Sequence, residues 1–190
     1  MKILAINGSA RLNGNTAIML NTALATLADE GFDTELVQLG PKGLQGCIAC
    51  YKCFENKDRS CAVKDDMNGY IEKMLAADGI LLGSPTYFAD LTTNMKSVID
   101  RAGMVSRAND DMFQRKVGAA VVTARRGGSI HTFDSLNHFF FITQMIVPGS
   151  SYWNMGFGRE PGQVNGDDEG LATMRILGRN MAWLLKKIAA

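Results

Sequence analysis

Near its start the chain reads Lys2-Ile3-Leu4-Ala5-Ile6-Asn7-Gly8-Ser9-Ala10-Arg11-Leu12-Asn13-Gly14-Asn15-Thr16, an apolar run followed by a polar loop. Residues 3–6 do not alternate with polar residues, which favours a strand covered on both faces, as in a parallel sheet. From Thr16 to Leu27 apolar residues recur at helical spacing and predict an amphipathic helix. Because the N–H groups of a first helical turn lack partners within the helix, the loop is a predicted anion site, with Arg11 as its cation.

Counting separates this loop from two better-known phosphate loops. A P-loop has four residues between its glycines and then a lysine, whereas five residues separate Gly8 from Gly14 and Asn15 takes the lysine position. A dinucleotide loop has a second glycine where this chain has Ala10. We therefore predict a monophosphate ligand; the alternative is a strand-to-helix turn capped by Asn13 that binds nothing.

Composition places the chain among globular proteins of ordinary size. The 190 residues suit one domain, residues 1–190, and the 20 basic and 19 acidic side chains give no sign of a nucleic-acid or membrane surface. The first apolar run is too short for a signal peptide, and no stretch approaches about 18 apolar residues. We expect a cytosolic protein with reduced thiols and small-molecule partners.

Strand and helix patterns alternate five times along the chain. The predicted strands are residues 3–6, 34–39, 80–82, 117–123 and 146–148, the last with an exit to Trp153. The predicted helices follow these strands, the last one containing apolar positions from Leu171 to Ile188. This alternation predicts an α/β protein with a parallel sheet in the order 2-1-3-4-5 and helices on both faces. Residues 40–65 form a long insertion without regular periodicity.

Three loops at the carboxyl ends of the strands differ from ordinary connections and would share one edge of the sheet. The first, residues 8–16, suits a phosphate. The second, Pro85-Thr86-Tyr87-Phe88, is rigid and aromatic and suits a flat ring, while Gly127 and Gly128 in the third could approach a ring edge with their N–H groups beside Arg125 and Arg126. Flavin mononucleotide (FMN) has this layout, and donors near its pyrimidine edge would stabilise the reduced form. The alternatives are core aromatics at 87 and 88 and solvated arginines at 125 and 126.

Together these residues resemble a known family. Gly8-Ser9-x-Arg11-x-x-x-Asn15-Thr16, Ser84-Pro85-Thr86-Tyr87-Phe88 leading to Lys96-x-x-Ile99-Asp100-Arg101, and Arg125-Arg126-Gly127-Gly128 look like the NADPH-dependent FMN reductase family of flavodoxin-like proteins. The resemblance implies a flavodoxin-like three-layer sandwich, a homodimer or homotetramer, and a flavin near a subunit interface. It implies that the FMN phosphate is held by Ser9, Arg11, Asn15 and Thr16. It further implies that Pro85, Thr86, Tyr87 and Phe88 line the ribityl chain and ring, and that Arg125, Arg126, Gly127 and Gly128 meet the pyrimidine edge. We add Thr123, at the end of the fourth predicted strand, to this set.

All four cysteines lie within the insertion, as Cys47-x-x-Cys50-x-x-Cys53 followed by Cys61. The spacing is similar to the compact motif of the iron-sulfur flavoproteins, a branch of the same family, and implies a [4Fe-4S] cluster. A structural zinc site and free or redox-active thiols are the alternatives. The two histidines, His131 and His138, are seven positions apart and about 10 Å along a helix, which indicates structural roles rather than a shared metal.

The leading functional hypothesis is an FMN-dependent oxidoreductase that takes electrons from NAD(P)H and passes them through the flavin to a small-molecule or protein acceptor. The second is an electron carrier in which a cluster on the cysteine segment exchanges electrons with a ferredoxin-like protein. The third is a ligand-sensing or scaffold protein that keeps the fold without the cofactor. No side-chain acid or base is predicted to be catalytic, because the flavin carries the chemistry.

Overall fold

The structure, a computed structural model, describes residues 1–189 and places five strands in a single sheet. The strands are β1 (Lys2–Asn7), β2 (Asp33–Gln38), β3 (Gly79–Pro85), β4 (Val117–Ala124) and β5 (Met155–Phe157). The helices are α1 (Asn15–Asp29), α2 (Lys52–Asn56), α3 (Met67–Ala76), α4 (Thr93–Ala108), α5 (Ser129–Ile142) and α6 (Asp168–Ile188), with a 3-10 helix at Gln163–Gly166. No helix in this part of the chain combines the length and apolarity that a bilayer crossing demands.

The sheet has the order β2-β1-β3-β4-β5, and all its pairings are parallel. β1 is an interior strand, since Ile6 pairs with Val37 of β2 on one side and with Leu82 of β3 on the other. Parallel neighbours need crossover connections, and the helices between the strands provide them on both faces. The predicted flavodoxin-like architecture and strand order are confirmed.

The continuous apolar run of β1 is explained by two cores, one on each face of the sheet. Leu4 and Ile6 belong to the core beneath α3, α4 and α5, whereas Ile3 and Ala5 belong to the core beneath α1 and α6. All four side chains are fully buried. Burying a side chain such as leucine or isoleucine contributes about 1.5–3 kcal/mol, so a strand covered on both faces has no place for alternating polar residues.

Two sequence predictions about the fold were wrong. The fifth strand is not residues 146–148: Ile146 forms only an isolated bridge with Val117, and Pro148 has no N–H with which to extend a ladder. The strand that does complete the sheet is β5, which begins two residues after the predicted exit at Trp153. The insertion at residues 40–65 also contains a short helix, α2, although its sequence shows no helical period.

Candidate functional site

The carboxyl ends of β1, β3 and β4 meet at a cleft that opens at one edge of the sheet. It is lined by Ser9, Arg11, Asn15, Thr16, Pro85, Thr86, Tyr87, Thr123, Ala124, Arg125, Gly158 and Arg159. Nine of the thirteen predicted cofactor residues are in this lining; Phe88, Arg126, Gly127 and Gly128 are not. The lining contains three arginines and no carboxylate, so the cleft is suited to an anion.

Helix α1 starts at the floor of this cleft without a side-chain cap. Its N-cap residue is Gly14, and the Ile18 N–H donates to the Gly14 carbonyl at 3.2 Å. The N–H groups of residues 15–17 precede that bond and are the donors that a helix start leaves without intrahelical acceptors. The predicted alternative in which Asn13 caps the helix is therefore wrong, and the helix start presents N–H groups and its positive dipole end to an anion.

The loop between β1 and α1 is fixed by short-range hydrogen bonds. The Ser9 N–H donates to the Asn7 side chain at 3.0 Å, and the Ser9 hydroxyl accepts from the Arg11 N–H at 3.1 Å. The Gly8 carbonyl accepts from the Thr92 hydroxyl at 2.8 Å, and a Cβ at Gly8 would lie 2.9 Å from the Cβ of Met95. Because only glycine allows α4 to approach so closely, Gly8 sets the position of the loop.

The side chain of Asn15, which the resemblance assigns to the phosphate, binds the loop after β5. Its side-chain amide donates to the carbonyls of Gly158 and Glu160, each at 3.0 Å, and its oxygen accepts from the Val164 N–H at 3.4 Å. The amide thus anchors the loop that follows β5, so that only the backbone N–H of Asn15 remains for an anion. Arg11 also reaches that loop, where its guanidinium donates to the Arg159 carbonyl at 3.2 Å.

Thr16 and Thr123 join the helix start to the end of β4. Their hydroxyl oxygens lie 2.7 Å apart, and both residues are buried. One of the two hydroxyls donates its proton to the other. The donating hydroxyl can still accept a hydrogen bond from the cleft, and the accepting hydroxyl can still donate one into it. The pair ties the predicted phosphate end of the site to the strand that leads to the third loop.

The aromatic loop after β3 forms a tight turn. Tyr87 and Asp90 exchange backbone hydrogen bonds of 2.8 and 3.1 Å, while Phe88 and Ala89 have positive φ angles of 49° and 64°. This is the geometry of a type I′ turn, which glycine and asparagine normally occupy. Phe88 is fully exposed and Tyr87 is 48% exposed, so the alternative that they are core aromatics is wrong.

The third loop packs against that turn. Gly128 has a φ of 85°, and a Cβ there would lie 2.8 Å from the Cα of Ala89. The Thr132 hydroxyl, one turn into α5, donates to the Thr86 hydroxyl at 3.2 Å. The two loops predicted to meet a flavin ring are therefore adjacent at the rim of the cleft, although only Arg125 of the third loop lines it.

Sequence reasoning missed Gly158 and Arg159, which follow β5. They were overlooked because the fifth strand was predicted at residues 146–148, so that no strand end was expected before Gly158. In the sequence, Arg159 follows Gly158 and precedes Pro161 and Gly162. Arginine next to glycine also occurs in the third loop, at Arg126 and Gly127. That likeness was the available signal.

The cysteine segment lies on the face of the sheet covered by α3 and α4. All four thiols are free; Cys47 and Cys50 are exposed, whereas Cys53 and Cys61 are partly buried. Burial raises the pKa of the Cys53 thiol. Within residues 1–189, no three His, Cys, Asp or Glu side chains are placed to bind one metal ion together.

The backbone of this segment is strained. Four residues other than glycine have positive φ angles between 50° and 60°: Ala49, Tyr51, Lys57 and Arg59. A left-handed conformation costs such a residue about 1–2 kcal/mol, and strain of this kind persists at sites that clamp ligands. The donor set, four thiols in one segment, matches the thiolate ligands of an iron-sulfur cluster.

Comparison with known proteins identifies relatives over the whole chain. The family model described as NADPH-dependent FMN reductase matches residues 1–160. An iron-sulfur flavoprotein of Methanocaldococcus jannaschii is 40% identical over 197 residues, which cover 99% of both chains. An iron-sulfur flavoprotein of Methanosarcina thermophila is 31% identical and covers 99% of this chain and 97% of its own length. Among solved structures, a WrbA-like flavodoxin from Agrobacterium tumefaciens has a TM-score of 0.67 at 15% identity, covering 98% of this chain and 97% of that one.

Proposed function

This chain belongs to the NADPH-dependent FMN reductase family, and from that membership we propose that it binds FMN and passes electrons from NAD(P)H to a small-molecule or protein acceptor. When bound, FMN supplies the hydride and electron chemistry that protein side chains lack. The residues of this chain bind, orient and electrostatically tune the cofactor. The observation that carries the proposal is the cleft with three arginines, no carboxylate and an uncapped helix start.

The cleft fits the phosphate end of FMN better than the whole cofactor. It encloses about 160 Å³, whereas pockets for drug-sized ligands begin at about 300 Å³. A phosphate would therefore occupy the floor, bound by the N–H groups of α1, the Ser9 hydroxyl and the Arg11 guanidinium. The ring would lie outside, at the rim where Gly128 packs against the turn that contains Tyr87.

Arg125 is placed to tune the ring. It lines the cleft directly after the end of β4, as does Tyr87 of the aromatic turn. A cation near the pyrimidine edge favours the negative charge that the cofactor gains on reduction. Arg125 is thus proposed to raise the reduction potential of the flavin, whereas Arg11 is proposed to act on affinity.

A spectroscopic experiment tests this function. The purified protein is mixed with FMN or with riboflavin, separated from free ligand, and examined under anaerobic conditions before and after addition of NADPH or NADH. We expect FMN to be retained more tightly than riboflavin and the bound flavin absorption to be bleached faster than that of free FMN. A protein that stays colourless after FMN addition would contradict the proposal and favour a ligand-sensing or scaffold role.

A second candidate function is an electron carrier in which Cys47, Cys50, Cys53 and Cys61 bind a [4Fe-4S] cluster. It is supported by the two relatives named as iron-sulfur flavoproteins and by the strained segment that holds all four thiols. The partly buried thiols, Cys53 and Cys61, would bind the cluster on its inner side, and the exposed thiols, Cys47 and Cys50, would close over its outer side. Iron, zinc and sulfide analysis of anaerobically prepared protein tests this candidate. About four irons per chain would support it, whereas one zinc per chain would favour a structural zinc site. Protein that contains neither metal would indicate free thiols and contradict this candidate.

We also propose a homodimer or homotetramer in the reducing environment of the cytosol. Free thiols are typical of that compartment, and large exposed apolar side chains support a subunit interface. They include Phe88, Phe141, Ile142, Tyr152 and Trp153. Sedimentation velocity would test the assembly, since a single species with the mass of one chain would contradict it.

A further inference from the structure

Arg101, on α4, is the residue that fastens the cysteine segment to the body of the protein. Its side chain is fully buried, and its guanidinium binds both ends of the segment. Nη1 donates to the Gln45 carbonyl at 3.0 Å and to the Asp65 carboxylate at 2.6 Å. Nη2 donates to the Val63 carbonyl at 3.3 Å and to Asp65 at 2.8 Å, and Nε donates to the sulfur of Cys61 at 3.3 Å.

These five hydrogen bonds equal the five N–H donors of a guanidinium. A buried charge is tolerated when it is paired and its donors are satisfied, and Asp65 supplies the opposite charge here. Lysine has only three donors and no planar fork, so it could not make the same set of contacts. The identity of residue 101 is therefore tied to the arrangement of residues 45–65.

Asn68, in the first turn of α3, holds the backbone of Cys61. Its amide donates to the Cys61 carbonyl at 2.9 Å, and its oxygen accepts from the Cys61 N–H at 2.8 Å. Cys61 is thus fixed at its N–H, its carbonyl and its sulfur. Cys47 and Cys50, in contrast, are exposed.

We infer that Arg101 and Asn68 form a clamp that holds Cys61 in place before a cluster binds. Cys61 is then the fixed ligand, and the exposed thiols of Cys47 and Cys50 move toward it when the cluster assembles. This inference rests on the second candidate function proposed above. Arg101 is a positioning residue, since it acts through Cys61. Fixing one ligand in advance lowers the conformational entropy lost on cluster binding, so the clamp should slow cluster loss.

The clamp itself is tested without metal, by hydrogen exchange of the reduced apoprotein. Arg101→Lys and Asn68→Ala should each speed amide exchange in residues 61–65 by at least about tenfold, because a lost opening free energy of about 1.4 kcal/mol has that effect. Asn94→Ala is the matched control. The Asn94 amide donates to the carbonyls of Gly40 and Lys42, and its oxygen accepts from the Leu44 N–H at 3.0 Å, so its hydrogen bonds go to the same connection but to no cysteine. Wild-type exchange at residues 61–65 in both clamp variants would overturn the inference.

The effect on the cluster is tested by iron release to a chelator under anaerobic conditions. Arg101→Lys and Asn68→Ala should release iron several-fold faster than wild type, and Asn94→Ala at the wild-type rate. Equal release from all proteins, with faster exchange in the clamp variants, would overturn the positioning role alone. Wild-type protein that contains no iron would instead overturn the second candidate function, and with it the role of the clamp in cluster binding.

Discussion

Replacing Arg11 with alanine should weaken FMN binding about tenfold while leaving riboflavin binding unchanged. Arg11 is exposed, and one of its N–H groups is engaged by the Arg159 carbonyl, so the other donors remain for a phosphate. A hydrogen bond to a charged group contributes about 1.5–3 kcal/mol, and solvent exposure puts Arg11 near the lower end of that range. A loss of about 1.4 kcal/mol corresponds to a tenfold weaker affinity.

The assay is titration of the apoprotein with FMN and with riboflavin, which lacks the phosphate. Binding is measured by the quenching of flavin fluorescence. Arg175→Ala, an exposed arginine on α6 that is not part of the cleft lining, provides the control and should bind both ligands like wild type. Because the contact is electrostatic, added salt should weaken FMN binding more in wild type than in the Arg11 variant. Equal weakening for FMN and riboflavin, or a larger FMN-specific loss in Arg159→Ala than in Arg11→Ala, would refute the assignment of the phosphate to Arg11.

Two further predictions concern the backbone at Gly128 and the ion pair of the clamp. Gly128→Ala should destabilise the protein by about 2 kcal/mol, because alanine is strained at positive φ and its Cβ would meet Ala89; Gly127→Ala, with nothing within 4 Å, should be close to neutral in urea unfolding. The hydrogen bonds from Arg101 lower the pKa of Asp65, so the stabilisation from this pair is present above the unfolded carboxyl pKa of about 3.9 and is lost as pH falls through the lower folded value. Asp65→Asn should therefore have a lower free energy of unfolding than wild type at pH 7 and should lose less of it on acidification. Free energies of unfolding that fall in parallel with pH in the two proteins would contradict this.

The sequence was sufficient for the parts of the fold in which the decisive contacts are local or strongly apolar. Residues 3–6 marked a doubly covered strand, and Gly31, at a φ of 90°, follows the end of α1 where the helical pattern stopped. It was insufficient for β5, which has three residues and pairs only with the end of β4. Asn154 helps place β5 by donating to the Ala120 carbonyl at 3.0 Å, a contact between residues 34 positions apart that no local pattern records.

The candidate site divides in the same way. The residues proposed to bind the phosphate lie within residues 8–16, so residue type and spacing sufficed to predict that they lie together in one cleft. The ring end depends on a turn at Phe88 that packs against Gly128, and on Asn15, whose amide is used by a loop 143 residues away instead of a ligand.

Arg101 shows the same dependence on packing more strongly. In the sequence it is one charged residue in a helix, marked only by a family resemblance, and nothing near it indicates burial. Its five acceptors come from Gln45, Cys61, Val63 and Asp65, so its role exists only once the cysteine segment has folded back over α4. A buried cation whose every donor is used by one segment constrains that segment from a distance in sequence, which is why the residues that control the cysteines lie outside the cysteine motif itself.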